Sequence, residues 1–226
     1  MMEEKRIIQV KRDILSANDS KADAFRRTLR ERGTFFMDIM ASPGAGKTTL
    51  LLALIRQLRA LGQSDLAVIE VDLESDVDAL KIKEADVTSI ELNTRGVCHV
   101  EMGMVEAAFE PLESMNLDWL FLENIGNLVC PAEFDTGAHC RVMLLSVPEG
   151  YDKVYKYPPM FSLADALIVT KSDYLPLNPD FKMDALREQA AVLNPDINIF
   201  VTSARTGEGI EDLAQWLMAK RFEALS

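Results

Sequence analysis

An α/β fold, a mostly parallel, seven-stranded sheet flanked by helices, is predicted by three observations. Apolar segments rich in Val, Ile, Leu and Phe recur at 35–41, 66–72, 88–93, 118–124, 141–147, 166–171 and 198–203. Most lack the alternation of a strand with one wet face, so both faces of the sheet should be covered, as in parallel sheets. Stretches with helical spacing lie between them at 48–61, 76–85, 103–115, 182–193 and 208–222, as crossover connections require. Finally, the junction between the first strand and its helix is a glycine-rich turn, Ala-Ser-Pro-Gly-Ala-Gly-Lys-Thr-Thr at 41–49.

In chain order, residues 19–32 read as a helix, with Asp19 or Ser20 as cap and Gly33 as its stop. Ala22, Phe25 and Leu29 give it one modest apolar stripe, and its other face is Arg-rich. Residues 1–33 are therefore expected to form a helical extension before a domain spanning 34–226. After the strand at 35–41, Gly44 and Gly46 let the backbone curl so that N–H groups of Gly44, Ala45, Gly46, Lys47, Thr48 and Thr49 face phosphate oxygens. The helix N-terminus adds partial positive charge. Lys47 is placed to reach the β- and γ-phosphates and the Thr48 hydroxyl to ligate Mg²⁺, a P-loop. The first position of G-x-x-x-x-G-K-[ST] is Ala41 here, which requires a negative φ at that residue.

Ligands of such sheets bind beyond the carboxyl ends of the strands, and chemically suggestive residues gather there. Strand 66–72 ends at Asp72, a candidate to hold Mg²⁺ directly or through water; Asp78 is a weaker one, and Ser75 or Asp76 suits a helix cap. Strand 118–124 closes on Glu123, with Gly126 three residues on, fitting a Walker-B carboxylate and a γ-phosphate sensor. Glu in place of Asp lengthens the reach, so a water is expected between Glu123 and the ion. Thr170-Lys171-Ser172-Asp173 is similar to the Asn-Lys-x-Asp element that selects guanine: Asp173 would accept from N1–H and the 2-amino group, and Lys171 would lie along the base. Ser203-Ala204-Arg205 is similar to the loop that contacts guanine O6 through its backbone. Thr170 in place of Asn should weaken one supporting contact. Together these favour GTP over ATP, with Lys47, Asp72 and Glu123 as the catalytic set for hydrolysis to GDP and phosphate.

Cys98-His99 follows a strand end, and Cys130 lies four residues beyond Gly126. Two thiolates and an imidazole suit Ni²⁺ or Zn²⁺; buried structural cysteines and a hydrogen-bonded histidine fit the same spacing. His139-Cys140 reads as a structural pair.

Composition narrows the partners. A net charge of −12 argues against nucleic acid or an anionic membrane. No apolar run approaches a membrane span, and Met-Met-Glu-Glu-Lys-Arg lacks the apolar core of a secretion signal. Three cysteines cannot pair completely, so a cytoplasmic protein with free thiols is expected.

On longer blocks the chain resembles the HypB family of GTPases that assist nickel insertion into [NiFe]-hydrogenase. The resemblance spans roughly residues 18–220 and rests on 42–49, on Leu-Asn-Thr-Arg-Gly-Val-Cys-His at 92–99, and on Glu-Asn-Ile-Gly-Asn-Leu-Val-Cys-Pro-Ala-Glu-Phe-Asp at 123–135. Leu-Leu-Ser-Val at 144–147, Lys-Tyr-Pro at 156–158 and Ser-Ala-Arg-Thr-Gly at 203–207 add to it. It implies a P-loop GTPase domain, a GTP-dependent homodimer, maturation partner proteins, and a metal site at the subunit interface built from Cys98, His99 and Cys130. Residues 1–33 hold neither Cys nor His, and Gly103 and Ala107 stand where members often have further histidines. With two histidines in the chain, nickel storage is not expected. The expectation is a GTP-hydrolysing metallochaperone or maturation factor whose dimerisation gates the Cys/His site. The alternative is a nucleotide-gated assembly factor that recruits partners and carries no metal. A kinase on the same loop is disfavoured by the Thr170–Asp173 element.

Overall fold

The computed structural model describes residues 2–72 and 85–226, with the side chains of 12–71 and 85–226. Its strands are β1 (Phe35–Ala41), β2 (Leu66–Asp72), β3 (Thr88–Asn93), β4 (Trp119–Gly126), β5 (Cys140–Ser146), β6 (Ala166–Thr170) and β7 (Asn198–Val201). Among the described residues these seven make one sheet in the order β3-β2-β4-β1-β5-β6-β7, each neighbouring pair parallel. The long helices are α1 (Met2–Glu31), α2 (Lys47–Ala60), α3 (Met102–Phe109), α4 (Met183–Leu193) and α5 (Ile210–Leu225).

The missing alternation in the sequence has a direct physical cause. Successive residues of β1 point to opposite faces, and both faces are covered. Phe35, Met37 and Ile39 pack with Leu51, Leu54 and Leu58 of α2 and with Leu213 and Leu217 of α5. Phe36 packs on the other face with Ala22, Phe25 and Leu29 of α1 and with Met102, Val105 and Phe109 of α3. Toward the β6 edge, Met143, Leu145, Leu167 and Val169 meet Phe161 and Leu186. Each fully buried Leu or Phe contributes about 1.5–3 kcal/mol, so the sheet is anchored from both sides. β1 lies between β4 and β5, where connections leave toward opposite edges, and the crevice beyond its carboxyl end is the ligand position for such a sheet.

Several boundaries differ from the sequence expectation. α1 does not start at Asp19 or Ser20 but runs from Met2 through both. Residues 2–18 contain neither Gly nor Pro to stop it, and the Ser20 hydroxyl donates back to the Ser16 carbonyl at 2.9 Å instead of capping. Gly33 does end the helix, at φ 74° with its N–H on Arg30 O (3.0 Å). The expected helix at 103–115 stops at Phe109, and a 3₁₀ turn, Glu110–Leu112, follows where Pro111 interrupts the ladder. β4 runs two residues further than expected, so Gly126 closes the strand, whereas β7 stops at Val201 and leaves Ser203 in a loop. Apart from Ala85, the helix expected at 76–85 lies outside the described residues, as do Ser75, Asp76 and Asp78.

Candidate nucleotide and metal site

The loop after β1 has the backbone its glycines predict. Gly44 (φ 77°) and Gly46 (φ 96°) are left-handed, and Gly46, which has no side chain to cap with, stands at the N-cap of α2. The start of α2, with the positive end of its helix dipole, borders a cavity of about 280 Å³ lined by Gly44, Gly46, Lys47, Thr48, Thr49, Glu123 and Lys171. Ala41 is the buried last residue of β1, and Asp86, Arg95 and Lys171 are the non-glycine residues with positive φ among those described. The alanine therefore sits without strain where the pattern has glycine.

The Thr48 hydroxyl donates to Glu123 Oε1 at 2.6 Å, bringing the helix start and the end of β4 together. A hydroxyl and a carboxylate are hard oxygen donors of the kind Mg²⁺ prefers, so the donor set fits the ion. The backbone of Asp72 ends β2, whose register places Glu70 beside Glu123; the Asp72 carboxylate lies outside the described side chains. Gly126 abuts the phosphate loop: a Cβ there would lie 3.1 Å from Pro43 Cγ and from its backbone nitrogen.

Beside this cavity lies a second one of about 260 Å³, walled by Pro148, Thr170, Lys171, Asp173, Ser203 and Ala204 among others. Lys171 adopts a left-handed conformation (φ 58°), and its Nζ donates to Gly44 O at 2.8 Å, so its stem runs from this cavity to the phosphate loop. Ser203 donates to Asp173 Oδ1 at 2.8 Å and fixes the carboxylate, and Ser172 donates to Glu208 Oε2 at 2.6 Å. The Thr170 hydroxyl donates to Ala45 O at 2.7 Å from a buried position. Threonine at this position thus keeps a direct tie to the phosphate loop.

The Cys98 and Cys130 thiols meet, Sγ to Sγ 2.7 Å, and this contact, chiefly, holds the Cys98 thiol above its usual pKa. His99 stands beside them with Nδ1 3.9 Å from Cys98 Sγ, Nε2 3.2 Å from Glu101 Oε1, and its ring stacked on Phe134 at 3.9 Å between centroids. Among the described residues no three His, Cys, Asp or Glu side chains converge on one point within the chain. The thiol pair is thus formed within one chain, but a closed metal site is not. Asn127 ties the two segments together by donating to Cys98 O at 3.0 Å.

The other Cys/His pair is built into the core. His139 Nδ1 accepts the Phe36 N–H (3.0 Å), so Nε2 carries the proton and donates to Arg26 O (3.2 Å). Burial drops the His139 pKa to about 4, and burial pushes the Cys140 thiol up.

Residues 36–201 match the family described as CobW/HypB/UreG, nucleotide-binding domain. The hydrogenase maturation factor HypB of Azotobacter chroococcum is 42% identical over 221 residues, covering 97% of this chain and 71% of the relative. That of Rhizobium leguminosarum is 44% identical over 216 residues, covering 96% and 71%. The chain belongs to the HypB family. The crystal structure of HypB from Helicobacter pylori in complex with nickel superposes on it with a TM-score of 0.86 at 36% identity, covering 93% of this chain and 97% of that one.

This HypB-family chain uses residues that the sequence reading passed over. Glu149 accepts from the Ser42 hydroxyl of the phosphate loop and from the Ser146 N–H (2.9 Å) and hydroxyl (2.7 Å). Ser146-Val-Pro-Glu149 is a capping box, an S-x-x-E spacing visible in sequence. Asp38, a charge inside an apolar strand, accepts from Asn124 Nδ2 (3.0 Å) and Thr136 Oγ1 (2.9 Å); burial raises its pKa against the pull of Arg141 and these donors. Asn18 and Arg26 of α1 hold the segment after Cys130, and no local pattern announces them.

Proposed function

We propose that the protein hydrolyses GTP to GDP and phosphate and uses the cycle to hold and release nickel for insertion into a metalloenzyme such as [NiFe]-hydrogenase. The observation that carries this reading is the connection of three sites along one strand end. Glu123 touches Thr48, Gly126 abuts Pro43, and Cys130, four residues on, touches Cys98. Family membership and the nickel complex of the Helicobacter pylori relative support the cargo.

In the proposed mechanism the N–H groups from Gly44 to Thr49 and the Lys47 ammonium hold the phosphates. Asp173, oriented by Ser203, accepts from guanine N1–H and the 2-amino group, which adenine does not offer in that pattern. Thr48 and Glu123, with Asp72 as a further candidate, would hold Mg²⁺, which would supply neutralisation of charge at the transferred phosphoryl group. Gly126 presents its N–H toward the γ-phosphate, and loss of that phosphate lets the Gly126–Cys130 segment move and loosens the thiols' hold on the cargo.

The site is completed by a second copy of the chain. Within one chain two thiols meet, and the exposed Val97 and Val129 flank them, an apolar rim suited to a twofold contact. A GTP-dependent homodimer brings together Cys98, His99 and Cys130 of both copies, a soft and borderline donor set for Ni²⁺ or Zn²⁺. Maturation partner proteins receive the metal. Among the described residues no helix is long and apolar enough to cross a membrane, and the chemistry is assigned to the cytoplasm, with no role for nucleic acid.

Turnover of GTP and ATP by the wild type and Lys47→Ala tests the enzyme. Slow GTP hydrolysis, little ATP use and none by the variant are expected; equal turnover in both proteins overturns the assignment.

A further inference from the structure

One side chain of α1 joins the two segments that carry the thiols. Asn18 is buried; its Nδ2 donates to Asp135 O at 2.8 Å and its Oδ1 accepts the Met102 N–H at 2.8 Å. Met102 opens α3 three residues after His99, and Asp135 lies five residues after Cys130. The residue at the helix start, Glu101, makes no side-chain cap, so Asn18 supplies the cap from 84 positions away.

The same stretch is fixed at further points. Arg26 Nη2 donates to both Asp135 oxygens at 2.8 Å, and its Nε to Ala138 O at 3.0 Å. Burial opposes ionisation of Asp135, but Arg141 and Arg26 outweigh it and hold its carboxyl below the usual range. Phe134, next to Asp135, stacks on His99, and Thr136 donates to Asp38, which also takes Asn124 from the end of β4. The segment from Cys130 to Thr136 is thus gripped by α1 on one side and by the strand under the phosphate loop on the other.

We propose that Asn18 is a positioning residue for the metal cargo: it sets the spacing of Cys98–His99 against Cys130 and makes α1 part of the metal-holding apparatus. This rests on the reading of Cys98, His99 and Cys130 as the cargo site. Groups that orient metal ligands without touching the metal typically change affinity about 10–100-fold when removed, and Asn18 occupies that place for two ligand segments at once. α1 precedes the residues matched by the family domain.

The test uses the full chain loaded with a non-hydrolysable GTP analogue. Ni²⁺ affinity and the nickel–thiolate absorption band are measured for the wild type, Asn18→Ala, Asn18→Asp and Cys130→Ala. Circular dichroism establishes that each is folded. Alongside, without metal, the rate of Cys98–Cys130 disulfide formation is followed with diamide, which takes up two electrons and two protons as two thiols become one disulfide. About tenfold weaker Ni²⁺ binding, an altered band and several-fold slower cross-linking are expected for folded Asn18→Ala. Asn18→Asp keeps the acceptor toward Met102 but sets a buried carboxylate oxygen against the Asp135 carbonyl, so its losses should equal or exceed those of alanine; the neutral Asn18→Ser, measured in the same way, decides the matter if neither folds. Wild-type affinity and cross-linking rate in the folded Asn18 variants overturn the proposal and leave the cargo reading standing. Nickel binding in the wild type no stronger than in Cys130→Ala overturns the cargo reading instead, and the cross-linking rate then decides for or against Asn18 as the spacer of the two cysteines.

Discussion

Gly126 at the end of β4 and Pro43 of the phosphate loop are packed so closely that a single added carbon at Gly126 would lie 3.1 Å from the proline ring. This contact makes the proposed γ-phosphate sensor and the phosphate loop one mechanical unit, with Cys130 four residues downstream.

Gly126→Ala should therefore disturb the triphosphate state more than the diphosphate state. A Cβ at that distance forces the loop or the strand end to give by a few tenths of an ångström, at a cost of about 1–3 kcal/mol. Affinity for a non-hydrolysable GTP analogue is expected to fall several-fold further than affinity for GDP, measured by titration calorimetry. Equal losses for the two nucleotides would place Gly126 outside the sensing step.

Under the proposed base recognition, Asp173→Asn should cut GTP affinity by about 100-fold or more, because two hydrogen bonds to a carboxylate would be lost, each about 1.5–3 kcal/mol. The amide can donate to the 2-oxo group of xanthine, so xanthosine triphosphate should bind the variant better than GTP does. Competition assays with both nucleotides check the reversal, and unchanged GTP preference would remove Asp173 from base recognition.

Thr170→Val keeps the shape and removes the donor that satisfies the Ala45 carbonyl. Leaving that buried acceptor unpaired should cost about 1–3 kcal/mol, read as a lower denaturation midpoint and weaker nucleotide binding. A variant as stable as the wild type would show that the tie between the base segment and the phosphate loop is dispensable.

His139 supplies a pH dependence. Its pKa is lowered by burial to about 4 from 6.5, so the unfolded chain binds the proton more readily than the folded one. Its contribution is complete above about pH 6.5 and is lost as pH falls toward 4, on the order of 2 kcal/mol after allowance for solvent screening. Unfolding free energies of His139→Gln should accordingly vary less steeply over that window than those of the wild type; parallel curves would contradict this.

The sheet and the backbone of the glycine-rich loop were legible because their signals are local. Phe35, Met37 and Ile39 read as a buried strand beside their own partners, and Gly44-Ala45-Gly46-Lys47 carries its backbone requirement within four residues. Asp19 and Ser20 imitate a cap inside α1, and nothing near them in the sequence shows that Ser20 turns back to Ser16. Asn18 was invisible for a deeper reason: its partners lie 84 and 117 positions away, and their approach is created by the fold. The meeting of Cys98 and Cys130 lies between these cases, since the topology placed both on one rim and the packing then closed the distance.

The most direct measurement is equilibrium Ni²⁺ binding to the wild-type chain loaded first with a non-hydrolysable GTP analogue and then with GDP, beside Cys130→Ala. The account predicts tight binding in the triphosphate state, at least tenfold weaker binding with GDP, and loss in the variant. The same affinity in all three samples would contradict it and leave a GTPase that assembles partners without holding their metal.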